Sequence, residues 1–240
     1  MCGRSTLHDA PVNILDRFSL PPVLPGFQPR YNIAPSQLQW TLLLDDTGAP
    51  AVRPIRWGLV PSWAKDPLGG SRLINARAES VAEKPAFSES LRKRRCVVLA
   101  DGYYEWRSTT RERVPMFFHL GGHMAFGFAA LWDRWGNGDT ALETCTIITT
   151  RAGRKTAPYH HRMPAILRES AAAQWMRPSA ESSDLLELLT PYDSDDLQAY
   201  EVSKLVNSPA NDSVECIAPA ASGSQSKRPP DQLELDVPGF

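Results

Sequence analysis

The chain has 240 residues, 42% of them hydrophobic and 22% charged, with a formal net charge of −1, which suits one large domain or two small ones and supplies a sizeable core. No apolar run approaches the length needed to cross a bilayer, and residues 7–24 are too broken by charge and proline to read as a signal peptide. The four cysteines (Cys2, Cys96, Cys145, Cys216) form no C-x-x-C pair, which argues against a zinc site and, without an export signal, for free thiols in a reducing compartment.

The 21 prolines and 7 tryptophans point to many turns and short elements. Val12, Leu15 and Phe18 recur at spacings of three and predict a short amphipathic helix over 10–20. Four prolines between 21 and 29 then force an extended loop. Strands are predicted over 39–44 and 51–60, joined by a turn at Asp45-Asp46-Thr47-Gly48. Residues 65–71 read as a loop. Pro85 opens a predicted helix with Phe87 and Leu91 four apart and a basic end at Arg92–Arg95. The apolar run 96–100 reads as a buried strand. Strands over 114–120 and 124–131 flank Gly121-Gly122 as a predicted hairpin, and 143–150 is a further strand. Short helices are predicted over 169–176 and 183–189. Residues 202–207 read as the last ordered segment, and 208–240, rich in Pro, Ser, Ala and Gly, as a disordered tail. Strands interspersed with short helices, without regular βαβ alternation, predict an α+β fold with mainly antiparallel pairing.

Charge is uneven. Residues 72–113 carry ten Lys/Arg against six Asp/Glu, and 151–168 carry five Lys/Arg and no acid. A polyanion-binding face is one reading, and solvated surface is the other.

The residues with most chemistry are at the start. A methionine aminopeptidase can be expected to remove Met1 before the small Cys2, leaving an α-amine and a thiol on adjacent carbons. Their unperturbed pKa values, about 7.7–8.0 and about 8.5, leave a usable nucleophilic fraction of each near neutral pH. The amine can form an imine with an aldehyde and the thiol can close it to a five-membered thiazolidine. The same residue could also attack an amide. Asn75 could orient a ligand or the terminal amine. Glu105, between Tyr104 and Trp106, could serve as general acid or base. His160 or His161 could serve acid–base chemistry. Arg4, Arg77 and Arg162 could hold phosphates, and Trp57, Trp63 and Trp106 could stack on bases. Each also has a structural reading: a turn-capping Asn, an ion-paired Glu, core tryptophans. No Walker loop, dinucleotide-binding turn or G-x-S-x-G elbow is present.

Six blocks occur in order: Met1-Cys2-Gly3-Arg4, Tyr31-Asn32-Ile33-Ala34-Pro35, Trp57-Gly58-Leu59-Val60-Pro61-Ser62-Trp63, Asn75-Ala76-Arg77-Ala78-Glu79, Arg95-Cys96 leading to Gly102-Tyr103-Tyr104-Glu105-Trp106, and His160-His161-Arg162-Met163-Pro164. From Cys2 to about Asn207 the chain resembles the SOS response-associated peptidase (SRAP) family, the abasic-site shielding proteins. The resemblance implies a β-rich fold with a distorted barrel-like core and short peripheral helices, a domain over 2–207, and a concave DNA face. It implies that Cys2, freed of Met1, crosslinks to the ring-opened sugar of an abasic site in single-stranded DNA. Asn75 would then position the cysteine and sugar, Glu105 would assist proton transfer, and His160 would assist ring opening, with no role for His161. Arg4, Asn32, Arg77 and Arg162 would lie near the DNA, with Trp57, Trp63 and Trp106 near a stacking wedge. No cofactor or metal is implied, and a cytoplasmic monomer, nucleoid-associated in a bacterium, is expected. Leu99-Ala100 and Arg151-Ala152-Gly153 depart from the family pattern in local loops. Two other readings remain open from the residues: a cysteine N-terminal hydrolase acting on amides, with its own Met1 as the one substrate it need have, and a non-catalytic single-strand DNA-binding module.

Overall fold

A computed structural model of the chain describes residues 2–180 and 182–220. β3 (Leu38–Leu44) and β4 (Pro50–Trp57) form a hairpin in register from Leu38↔Arg56 to Leu44↔Pro50. Its turn is the expected one. Asp45 Oδ1 accepts from the Thr47 and Ala49 N–H groups and from Thr47 Oγ1, and Gly48 takes a φ of +82°, which only glycine adopts without strain.

β6 (Arg95–Ala100) pairs with β3 on one side and with β9 (Phe126–Trp135) on the other. Every residue of β6 is buried, which is why this strand reads as an unbroken apolar run rather than an alternating one. β9 pairs with β10 (Leu142–Arg151), and β10 meets β4 in parallel through Thr144↔Arg56 and Cys145↔Trp57. The five strands β3–β4–β10–β9–β6 therefore close into a ring with one parallel seam. Closure leaves these strands no free edge. β5 (Asn75–Arg77) and β11 (Arg162–Pro164) extend β10, and β12 (Ile166–Leu167) extends β9.

A second, antiparallel sheet has the order β13 (Leu197–Glu201), β8 (Arg113–Leu120), β7 (Gly102–Ser108), β1 (Ser5–Leu7), β2 (Arg30–Ile33). Aromatic rings join it to the barrel: Tyr103 stacks on Phe118 at 4.9 Å and meets Phe128 edge-on at 6.1 Å. Gly102 permits close packing at the start of β7, where a Cβ would overlap the Phe117 ring and crowd Thr6 Oγ1. The fold is thus α+β, β-rich and mainly antiparallel, as expected.

The helices α1 (Val12–Arg17), α2 (Ser88–Lys93), α3 (Glu169–Trp175) and α4 (Ser182–Glu187) are short and depend on packing for stability. Arg95 ties two of them together: its guanidinium donates to the carbonyls of Leu91 and Arg92 at the end of α2 and of Trp175 and Arg177 at the end of α3. Among the described residues no helix is long and apolar enough to cross a membrane.

Two expectations are corrected. The Gly121-Gly122 segment does not join a hairpin. It forms a 3-10 turn, Gly121–His123, that carries the chain from one sheet to the other, so β8 pairs with β7 and β13 while β9 pairs within the barrel. The expected tail is also folded at its start. Residues 204–217 hold two 3-10 turns (Lys204–Asn207 and Val214–Cys216), and Val206 and Cys216 are buried in a small cluster with Tyr104, Phe117 and Val202. Residues 221–240 lie outside the described residues, as does Met1.

Candidate active site

β1 delivers the N-terminal residues into the interior. Ser5 lies opposite Tyr103, and the Tyr104 N–H donates to the Arg4 carbonyl at 3.1 Å, so Gly3 and Arg4 run alongside Tyr104 and Glu105. Cys2 is fully buried. Its carbonyl accepts from Asn75 Nδ2 at 2.8 Å, which joins it to β5 and through β5 to β10. Asn75 Oδ1 is buried and has no hydrogen-bond partner among the described residues, an acceptor beside the first residues of the chain.

Glu105 is 2% exposed. It sits inside β7, not past a strand end, and burial pushes its carboxyl pKa up, with Arg113 and His161 acting against this. Burial also raises the Cys2 thiol, and the neighbouring Glu105 carboxylate adds to that. Burial thus shifts both groups toward their protonated forms relative to exposed Glu and Cys. His160 Nδ1 lies 4.0 Å from Glu105 Oε1. That same Nδ1 lies within hydrogen-bond distance of both the Arg162 N–H, at 3.0 Å, and the Arg162 carbonyl, at 3.1 Å, so the Arg162 backbone orients the ring. Burial lowers the His160 pKa, so the ring is neutral near neutral pH and its contact with Glu105 is not a charged pair. His161 stacks on His160 at 4.3 Å but is exposed.

Cys2, Asn75, Glu105 and His160 thus come from four distant parts of the chain to one place. Two hydroxyls lie in the same buried neighbourhood: Tyr103 OH is 3.3 Å from Thr156 Oγ1, and the Cys2 and Glu105 charges both act to raise the Tyr103 pKa, after burial. Tyr103 sits within the Gly102–Trp106 block, where its neighbour Glu105 draws the attention.

The residues expected to touch DNA divide. Trp63 is 62% exposed, and Arg77 is exposed on β5 opposite Thr149. Trp106 is half-buried, with Arg4 over its ring at 5.9 Å, and it lines a cavity of about 350 Å³ with Arg113 and Asn207. Trp57 is fully buried and donates Nε1–H to the Ile74 carbonyl, so it is core and presents no face for stacking. Arg162 is buried. Its Nη1 and Nη2 hold Glu79 at 2.6 and 2.9 Å, and Nη2 also donates to the Thr149 carbonyl, which commits it to the fold. Asn32 is fully buried and spends its Nδ2 on the carbonyls of Val206, Ser208 and Asn211. Arg4 donates to Asn32 Oδ1 and to the Val206 and Asn207 carbonyls.

The basic run 151–168 is largely neutralised. Arg154 pairs with Asp193 and Asp195, Lys155 with Asp195, Arg162 with Glu79 and Arg168 with Asp196. Arg151 is exposed at the end of β10, two residues beyond Thr149, the partner of Arg77. Among the described residues no three His, Cys, Asp or Glu side chains gather as a metal-binding group.

The model of the SOS response associated peptidase (SRAP) family matches residues 1–209. The chain is 43% identical over 222 residues to the abasic site processing protein YoaM of Bacillus subtilis, covering 90% of this chain and 97% of the relative. It is 32% identical over 273 residues to the mouse abasic site processing protein HMCES, covering 92% of this chain and 76% of that one. An X-ray structure of a protein from Bacteroides thetaiotaomicron superposes with a TM-score of 0.80 at 26% identity, over 92% of this chain and all of that one.

Proposed function

The chain belongs to the SOS response associated peptidase family, and from that premise we propose that it processes abasic sites in single-stranded DNA by forming a covalent thiazolidine through Cys2. The carrying observation is the hydrogen bond from Asn75 to the Cys2 carbonyl, at a point where a buried carboxyl and a neutral imidazole also meet. The names of the relatives, abasic site processing proteins, agree with a DNA-lesion role.

The reaction needs Met1 removed. The Cys2 amine then attacks C1′ of the open-chain deoxyribose, an aldehyde, and the carbinolamine loses one water to give the imine. The Cys2 sulfur adds to the imine carbon, its proton leaves, and the ring nitrogen gains one. The product is protein plus DNA less one water. A buried carboxyl with a raised pKa suits Glu105 to donate a proton to the departing water and to take the thiol proton afterwards. His160, oriented at Nδ1 by the Arg162 backbone, suits proton transfer to the sugar ring oxygen during opening. Asn75 holds the Cys2 backbone so that amine and thiol face one carbon. Arg77 and Trp63 are the exposed groups suited to phosphate and base.

The test is intact mass after incubation with a single-stranded oligonucleotide bearing one abasic site. A one-to-one adduct lacking one water, absent in Cys2→Ala, is expected. No adduct, with peptide substrates turned over instead, would favour an N-terminal hydrolase using the same residues.

A further inference from the structure

We infer that Asp212, on the 204–217 segment, is a positioning residue for Cys2: it closes the segment over the strand that carries the nucleophile. This rests on the proposed function for its consequence in rate, though not for its geometry.

β1 has only three residues, and so short a strand does not hold its own position. On one side it pairs with β7. On the other it pairs with β2, where the register slips between Ser5↔Ile33 and Leu7↔Arg30. A bulge of this kind leaves backbone groups unpaired, and β2 is the last strand of its sheet. Asp212 takes up these groups. Its Oδ1 accepts from the N–H groups of Tyr31 at 2.6 Å and Asn32 at 2.9 Å, and its Oδ2 pairs with the Arg30 guanidinium. The carboxylate thus stands where a further strand would.

The grip is reciprocal. The Asn32 side chain, oriented by this capping, donates to the carbonyls of Val206, Ser208 and Asn211. Arg4, two residues from the nucleophile, donates to Asn32 Oδ1 at 2.8 Å and to Val206 and Asn207. Tyr104 OH donates to the Tyr31 carbonyl at 2.7 Å, and Tyr200 OH to that of Ile217 at 2.8 Å. Trp106 Nε1 donates to Asn207 Oδ1 at 2.8 Å. Under these bonds lies the apolar cluster of Tyr104, Phe117, Val202, Val206 and Cys216. Loss of Asp212 frees β2, then Asn32, then Arg4, and the last fixed point before Cys2 on that side goes with it. A misplacement of an ångström at a reacting group is enough to cost large factors in rate.

The experiment compares wild type, Asp212→Ala and Asp212→Asn in single-turnover crosslinking to an abasic oligonucleotide over a range of DNA concentrations. Cys2 labelling by iodoacetamide, read by peptide mass, is measured alongside. For Asp212→Ala the rate at saturating DNA is expected to fall about tenfold with the half-saturating concentration unchanged, and labelling to accelerate. Asp212→Asn, which keeps an oxygen for both N–H groups, is expected to restore most of both. Equal rates and equal labelling in all three overturn the inference, as does a loss that appears in half-saturation alone. If wild type forms no adduct the proposed function fails, and labelling still decides the role of Asp212. If Asp212→Ala does not fold, hydrogen exchange of wild type decides: the Asn32 and Tyr104 amides should open together with those of Val206 and Cys216, and protection of the first pair while the second exchanges freely overturns it.

Discussion

The side-chain amide of Asn75 donates to the main-chain carbonyl of Cys2 across 2.8 Å, joining the first residues of the chain to a strand of the barrel system 73 positions away. Asn75→Ala removes this tie and is expected to slow adduct formation by about tenfold or more. Asn75→Asp should be worse, since a carboxylate turns an acceptor toward a carbonyl. Single-turnover crosslinking of the two variants checks the order, and equal wild-type rates would separate Asn75 from the reaction.

Burial holds the Glu105 carboxyl above its ordinary pKa of 4.5. The folded chain then binds this proton more tightly than the unfolded chain does. Ionising Glu105 costs stability as pH rises past 4.5, the cost is complete above the raised value, and it is absent where both states are protonated. Glu105→Gln lacks the cost. It should melt higher than wild type near pH 7, with the gain shrinking toward about pH 4. Thermal melts across that range test this; a gain independent of pH would assign it to packing.

Asp101 is 1% exposed and accepts from Thr6 Oγ1 and from the His8 and Asp9 N–H groups, with His8 Nδ1 at 3.0 Å. It fixes the far end of β1. Asp101→Ala strands these donors and should cost about 3 kcal/mol, where Asp101→Asn, keeping one acceptor, should cost about half as much. Denaturant unfolding measures both, and a loss under about 1 kcal/mol for alanine would show that water replaces the carboxylate.

Asp193 and Asp195 neutralise Arg154 and Lys155 at the surface. Replacing both acids with asparagine should tighten binding to unmodified single-stranded DNA. The dependence of log affinity on log salt should steepen by roughly 0.7 for each cation that then meets a phosphate. Titrations at several salt concentrations decide it. An unchanged slope places this basic run away from the DNA path.

The proposed chemistry is more legible in the sequence than the architecture that would serve it. Cys2, Glu105 and Asn75 announce themselves through residue type and through ordered blocks. The strands that bring them together do not. Ser5–Leu7, Arg30–Ile33 and Asn75–Arg77 are too short to show a period of two. Gly121-Gly122 looks the same whether the flanking strands pair or part, because pairing is settled by distant partners. The same holds for the polar residues. Arg162 reads as a phosphate ligand until Glu79, 83 positions away, is found to hold it. Asn32 reads as a neighbour of the DNA until carbonyls 174 to 179 positions away claim its amide.

The grip of the 204–217 segment on the first strand has a consequence for timing during synthesis. β1 settles between β2 and β7, and its lock is made by residues about 200 positions later. At translation rates of about 5–20 residues per second, roughly ten to forty seconds pass between the emergence of the N-terminus and that of its lock. Cys2 is fully enclosed once the strand has docked. The proposed mechanism therefore requires methionine excision on the nascent chain within this interval, since a chain that folded before it was trimmed would bury the Cys2 nitrogen as an amide.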